Sequence, residues 1–266
     1  LTGALHSADT DATLACLEAL GADVEQDHTT LQFTPGPPRR PDGPLDCRNA
    51  GTGLRLLTAQ AALRSEAITL TGDASLRSRP NATLLDAMQH LGAQVTGGDQ
   101  APYTVQGPLQ DGNVALDGGT SSQFTSALLL ALPQVEGAST VDVKPPVGSS
   151  PYLDLTCDIA RDFGFQIDEV PSAGRSFTVA GGQAPRATDY AIEADWSTAA
   201  FPLATGALLG EARVAGLNPQ SRQGDRRILD LLRDFGAQVS TGDVIHVKAD
   251  ELVAPDPIDV AATPDL

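Results

Sequence analysis

The sequence predicts an α/β fold assembled from repeated units, with apolar helices inside and half-exposed sheets outside. Three observations carry that prediction. Four segments share one pattern: TLACLEALGADV (13–24), LLDAMQHLGAQV (84–95), TCDIARDFGFQI (156–167) and ILDLLRDFGAQV (228–239). Their glycines Gly21, Gly92, Gly164 and Gly236 are spaced by 71, 72 and 72 residues. Between them lies a second series, GTGLRLLTAQAAL (51–63), TSSQFTSALLLAL (120–132) and DWSTAAFPLATGALL (195–209), in which small polar residues lead into an apolar run. Extended runs follow that series: AITLTG (67–72), STVDVKP (139–145) and ARVAGL (212–217). Self-similarity at a fixed interval is the mark of internal duplication.

Each element follows from local chemistry. In the first series apolar or small residues recur at helical spacing, as in Leu84, Ala87, Met88 and Leu91, and a glycine in the left-handed conformation ends each helix. A short β run, a turn and a second alternating run come next: TTLQFTP, YTVQGP, SFTVAGG and VIHVKA. One unit therefore reads strand, helix, strand, helix, strand, strand. The second-series helices are nearly free of polar residues over two or three turns, which suits burial on all sides. The strands alternate instead (Thr69 and Thr71; Asp142 and Lys144), unlike the uniformly apolar strands of a doubly wound sheet. The chain enters this frame in mid-unit with LTGALHSADTDATL. It stops at IDVAATPDL, where another second-series helix is due. The expectation is a native polypeptide that continues past both ends.

At 266 residues the chain can bury one large core or two ordinary ones, and 41% hydrophobic residues are enough for globular folding. No 18-residue apolar run and no basic start leading into an apolar stretch are present, so no membrane span or signal peptide is expected, and the location predicted is the cytoplasm. Thirty-four acidic residues face 17 basic ones, a net charge of −17, and Lys144 and Lys248 are the only lysines. Such a surface repels nucleic acid and anionic membrane, and it resembles proteins that work in concentrated salt. Cys16, Cys47 and Cys157 form neither a disulfide framework nor a metal pattern. His6, His28, His90 and His246 stand alone. No metal and no cofactor are expected.

The candidate chemistry gathers at helix starts, where unpaired N–H groups attract anions. DCRNAGTGLRLL (46–57) places Asn49, Gly51 and Thr52 in a tight turn before a helix; it reads as a plain turn or as an anion site, and it is not a P-loop. Ser121, Ser122 and Gln123 offer hydroxyls and an amide, or simply cap a helix. SLRSRPNATLLDAM (75–88) carries Arg77 and Arg79, either solvent-facing or forming a fork for a carboxylate or phosphate. GSSPYLDL (148–155) repeats the geometry with Ser149 and Tyr152. In NPQSRQGDRRILDLL (218–232), Asp225 reads most simply as a helix cap.

Taken together, DCRNAGTGLRLL, GDASLRSRP, DGGTSSQFTSALLLALP, SSPYLDLTCDIARDFG, EADWSTAAFPLATG, SRQGD and the terminal TPDL resemble the enolpyruvyl transferases, specifically the EPSP synthase family, in order and over essentially the whole chain. The resemblance implies inside-out α/β barrel domains built from βαβαββ repeats. Residues 1–192 would be the first domain without its first strand and helix, and 193–266 the beginning of the second. It implies transfer of the enolpyruvyl group of phosphoenolpyruvate to the 5-hydroxyl of shikimate 3-phosphate by a monomer. Ser121, Ser122, Gln123, Ser149, Tyr152 and Asp265 would bind shikimate 3-phosphate. Asn49, Gly51, Thr52, Arg79 and Gln123 would bind phosphoenolpyruvate, with Arg55 a supporting charge and Asp265 also acting in proton transfer. Arg48 departs from the family's usual glycine, and Ala194 and Trp196 depart around Asp195. The family's N-terminal Lys-Ser…Arg cluster and its later Glu/Lys pair are not in this sequence. The sister family acting on a UDP-amino sugar usually carries a loop cysteine, and residues 73–80 have none. A non-catalytic anion-binding fragment is the reading from a different class.

Overall fold

The computed structural model describes residues 1–259, 261–263 and 266. They form two compact units: residues 1–147 with 156–190, and residues 148–155 with 191–266.

The first unit opens with α1 (Ala8–Ala19) and the hairpin β1 (Ala22–Asp27) and β2 (Thr30–Pro35). Ser7 and Thr10 close a reciprocal capping box at the α1 start. Next come β3 (Leu45–Asp46), α2 (Gly51–Ala61), β4 (Ile68–Thr71), the one-turn α3 (Ala74–Arg77), α4 (Ala82–His90), β5 (Gln94–Thr96) and β6 (Tyr103–Gln106). Their sheet has the order β3-β4-β6-β5, with the first pair parallel and the others antiparallel. Then follow β7 (Asn113–Asp117), α5 (Ser122–Ala131), β8 (Ser139–Lys144), α6 (Ser150–Asp162), β9 (Ile167–Val170) and β10 (Arg175–Val179). This second four-stranded sheet runs β7-β8-β10-β9, again with only the first pair parallel. The division between units falls inside α6.

The helix ends are set by glycine. Gly21, Gly92, Gly164 and Gly236 have φ of +110°, +91°, +92° and +94°, as the sequence pattern predicts. A side chain would be strained at each. Strand alternation is also observed: Ile68 and Leu70 of β4 are buried while Thr69 and Thr71 are half-exposed, and Val141 and Val143 of β8 are buried while Asp142 and Lys144 face water. Helices α2 and α5 pack on each other, and from Phe124 to Leu129 α5 is buried at every residue.

In the second unit, α7 (Trp196–Leu209), β11 (Glu211–Ala215), α8 (Ile228–Asp234), β12 (Gln238–Ser240) and β13 (Val244–Lys248) form a three-stranded antiparallel sheet of order β11-β13-β12 with two helices. Trp196, Leu203, Leu229, Ile245 and Val247 belong to its core. Burial of α7 is one-sided: Leu203 is fully covered, but Phe201 is 74% and Leu209 84% exposed. The reading of an all-round buried helix therefore does not describe α7, whose described neighbours in this unit, β11, β13 and α8 among them, cover a single face.

Candidate functional site

In the first unit the β3–α2 turn builds a donor-rich surface from its backbone outward. Helix α2 starts at Gly51 without a side-chain cap, so its first N–H groups are presented as donors. The guanidinium of Arg79 lies against this helix start. A Cβ placed on Gly51 would come within 2.9 Å of Arg79 Nη1, so glycine is what allows the approach. Arg79 is held there by Asn49, whose Oδ1 accepts from Arg79 Nη2 at 2.9 Å. Asn49 Nδ2 in turn donates to Asp73 Oδ2 at 2.7 Å. Asp73 caps the one-turn α3 by accepting from Leu76 N at 2.8 Å. That backbone bond, then the Asn49 bond, holds the Asp73 carboxyl below its ordinary range.

Arg48, where the resemblance leads one to expect glycine, has φ +50°. It accepts the left-handed conformation because Asp46 Oδ1 takes its N–H at 2.9 Å and its carbonyl takes Asp73 N at 2.7 Å. This explains why glycine suits the position and how an arginine is accommodated.

Gln123, in the first turn of α5, meets Arg55 of α2: Arg55 Nη1 donates to Gln123 Oε1. With its carbonyl end engaged, the amide turns its donor end away from Arg55. Arg55 Nε also donates to Asn81 Oδ1 at 3.3 Å, and the guanidinium stacks 5.0 Å over the Phe124 ring. Burial, and next the like charge of Arg79, pulls the Arg55 pKa below its ordinary value. Buried Asn81 closes the network by donating to the Arg79 carbonyl at 3.0 Å. Two guanidiniums, an amide donor end and a helix start thus share one region, an arrangement that takes an anion. Ser121 caps α5 by accepting from Gln123 N at 3.3 Å, which is the plain reading of that hydroxyl. Ser122 and Thr52 occupy the first turns of α5 and α2.

The second unit holds Ser149 and Tyr152. Ser149 adopts φ +50° immediately before α6, with its N–H donated to the Ala261 carbonyl at 3.0 Å and its carbonyl accepting Tyr152 N at 3.1 Å. The Tyr152 hydroxyl donates to Asp225 Oδ2 at 2.9 Å, and the Ser197 hydroxyl donates to the same oxygen. Asp225 is fully buried. It sits inside a 3-10 turn instead of at a helix cap, which corrects the sequence reading. True capping falls to Asp195, which accepts from Ser197 N at 3.0 Å and Thr198 N at 3.1 Å at the start of α7. Trp196 fills the core and donates Nε1–H to the Asn218 carbonyl at 3.2 Å. Asp265 lies outside the described residues.

The structure thus brings Asn49, Gly51 and Arg79 into one cluster, seats Gln123 on Arg55, and joins Tyr152 to Asp225. Asp73 and Asn81 escaped the sequence reading as site residues, although an aspartate before SLRS carries a visible capping signal. Asp225 gave no local signal of its role. A groove of about 460 Å³ in the second unit is lined by apolar side chains of α7 and α8, among them Phe201, Leu208 and Leu232, and suits no anion. Among the described residues no group of three or more histidines, cysteines or acids could hold a metal, and no helix is long and apolar enough to cross a membrane.

Fold and site define an α/β protein with mixed sheets that presents donors for an anion at helix starts. Its family follows from comparison with known proteins. The model of the EPSP synthase (3-phosphoshikimate 1-carboxyvinyltransferase) family matches residues 1–266, and the chain belongs to that family. It is 45% identical over 271 residues to a 3-phosphoshikimate 1-carboxyvinyltransferase of Methanothrix thermoacetophila, and 41% identical over 276 residues to one of Halobacterium salinarum. Each alignment covers 98% of this chain and 63% of the relative, so the chain spans less than two thirds of the length of the curated relatives it matches. An EPSP synthase structure from Acinetobacter baumannii superimposes with a TM-score of 0.74 at 25% identity, covering 99% of this chain and 62% of the other.

Proposed function

We propose that this chain forms part of an enzyme that transfers the enolpyruvyl group of phosphoenolpyruvate to the 5-hydroxyl of shikimate 3-phosphate, releasing phosphate. The observation that carries the proposal is the Arg79 guanidinium seated on the uncapped start of α2 and oriented by Asn49. Family membership supplies the reaction class. In this reading the 5-hydroxyl attacks C2 of phosphoenolpyruvate while C3 gains a proton, giving a tetrahedral ketal. Loss of phosphate and of a C3 proton then yields the enolpyruvyl ether. Both substrates are multiply anionic, so preorganised donors must offset their repulsion before chemistry begins.

The roles follow by residue. Asn49, Gly51, Thr52 and Arg79 bind phosphoenolpyruvate, and Gln123 serves both substrates. Ser121, Ser122, Ser149 and Tyr152 bind shikimate 3-phosphate. Asp265 contacts the substrate hydroxyls and moves a proton. Residues 1–192 are most of an inside-out α/β barrel domain built from βαβαββ repeats, and the shared order of the two four-stranded sheets supports this. Residues 193–266 begin the other domain. The enzyme is a cytoplasmic monomer adapted to salt, consistent with the net charge of −17. Transfer to a UDP-amino sugar is disfavoured, because all three cysteines are buried and none lies in residues 73–80.

Calorimetry tests the assignment on the chain as it stands, with phosphoenolpyruvate, shikimate 3-phosphate and UDP-N-acetylglucosamine titrated separately and phosphate release followed on mixing. Binding of the first two and not the third is the expected result. Binding of the sugar nucleotide alone would overturn the substrate assignment, and binding of the two without phosphate release would assign the chain to anion binding alone.

A further inference from the structure

Asp225 is a charged side chain with no exposure, yet its described partners are two hydroxyls, both on Oδ2. Its Oδ1 is buried with no hydrogen-bond partner among the described residues. A carboxylate used this incompletely is a poor choice for stability, since an apolar side chain would avoid the desolvation cost. The two hydroxyls come from different helix starts: Tyr152 from the first turn of α6 and Ser197 from the first turn of α7. Asp225 itself lies in the turn that leads into α8. One buried acceptor therefore ties three helix starts together, and it fixes which way the Tyr152 phenol points.

From this geometry we infer that Asp225 is a positioning residue for ligand binding, acting through the Tyr152 hydroxyl. The inference rests on the reading of Tyr152 as a shikimate 3-phosphate residue. With its phenolic proton donated to Asp225, Tyr152 can meet a substrate hydroxyl only as an acceptor, so the bond to Asp225 sets which ligand chemistry it recognises. A ring of hydroxyls is the chemistry that such a tyrosine recognises. Ser197 donates to the same carboxylate oxygen, and the two bonds together limit its rotation.

The test is a double-mutant cycle on the full chain with shikimate 3-phosphate as the titrant in calorimetry. The four proteins are the unaltered chain, Tyr152→Phe, Asp225→Asn and the double variant. A charge-assisted bond of this kind sets the expected scale at about 10- to 100-fold in affinity for Asp225→Asn. In the Tyr152→Phe background the same substitution is expected to change affinity by less than about threefold, because its route of action is gone. Affinity for phosphoenolpyruvate should not move in any of the four. Equal losses from Asp225→Asn in both backgrounds would overturn the positioning role while leaving Tyr152 a substrate residue. Unchanged affinity in Tyr152→Phe, or no binding by the unaltered chain, would overturn the underlying reading and the inference with it. If Asp225→Asn does not fold, Asp225→Glu, which keeps the charge and displaces the carboxylate by one methylene, enters the cycle with the same two outcomes.

Discussion

Gly51→Ala is expected to weaken phosphoenolpyruvate binding about tenfold without unfolding the protein. The added Cβ would sit 2.9 Å from Arg79 Nη1 and 3.8 Å from Leu76 Cδ1. The second distance is ordinary contact, whereas the first is about 0.5 Å inside the separation at which such atoms rest. Gly51 is not in the left-handed region, so the backbone accepts alanine, and the end of a flexible side chain gives way. Arg79 then retreats by about half an ångström, enough to carry a 2.9 Å bond such as that to Asn49 out of the normal range. A hydrogen bond to a charged group is worth about 1.5–3 kcal/mol, and impairing one in the ligand complex by about 1.4 kcal/mol is a factor of ten. Alanine exceeds glycine in helix propensity, so the melting temperature should hold or rise. Calorimetry with phosphoenolpyruvate and a circular-dichroism melt decide the matter. Unchanged affinity at an unchanged melting temperature would refute the seating of the anion between Arg79 and the α2 start.

Arg55→Met keeps the stem over Phe124 but releases the Gln123 amide, and it is expected to lower phosphoenolpyruvate affinity about tenfold, read by calorimetry. Asp195→Ala removes the α7 cap and should cost about 1 kcal/mol, read by the fluorescence of Trp196, the only tryptophan, in a urea titration. For Asp195, burial works against the charged form, but the bonds from Thr198 and Ser197 outweigh it and lower the folded pKa. Its stabilising contribution is therefore full above the unfolded value near 4 and is lost as pH falls through the folded one. An acid titration of the Asp195→Ala variant should lack that loss. With a net charge of −17, the melting temperature of the unaltered chain should climb between 0.1 M and 2 M potassium chloride. A flat salt profile would remove the habitat reading.

Much of the fold is legible in the sequence because its cues are local and periodic. The four glycines mark helix ends whose positive φ only glycine takes easily, and alternation in β4 and β8 declares which side of each strand is covered. The buried face of α2 and α5 also reads directly, since it consists of apolar letters at helical spacing. The limits of α7 do not read from sequence. Its composition matches that of α5, but the number of faces that a helix buries depends on what packs beside it. In a chain with only 17 basic residues an arginine beside a polar turn stands out, but the sequence leaves Arg77 and Arg79 readable as solvent-facing, and Arg55 enters only through the family resemblance. That Asn49 bridges Arg79 to Asp73 could not be read, since the three lie up to 30 residues apart.

Two aspartates show where local reasoning stops. Asp195 and Asp225 each precede an apolar helix, and the sequence reading names only Asp225 as a cap. Asp195 is the one that caps, accepting from Ser197 N and Thr198 N, two and three residues ahead. Asp225 is one residue into a tight 3-10 turn, which carries its carboxylate away from its own helix start and into the interior. There its partners are Tyr152 and Ser197, 73 and 28 residues away in sequence. A cap is specified by its neighbours, so its signal is local even where the reading passes over it. A buried acceptor shared by three helix starts is specified by the fold, and its cost is tolerated where something other than stability is selected. The local rule fails at the aspartate that touches a proposed substrate residue, and it holds at the one that does not.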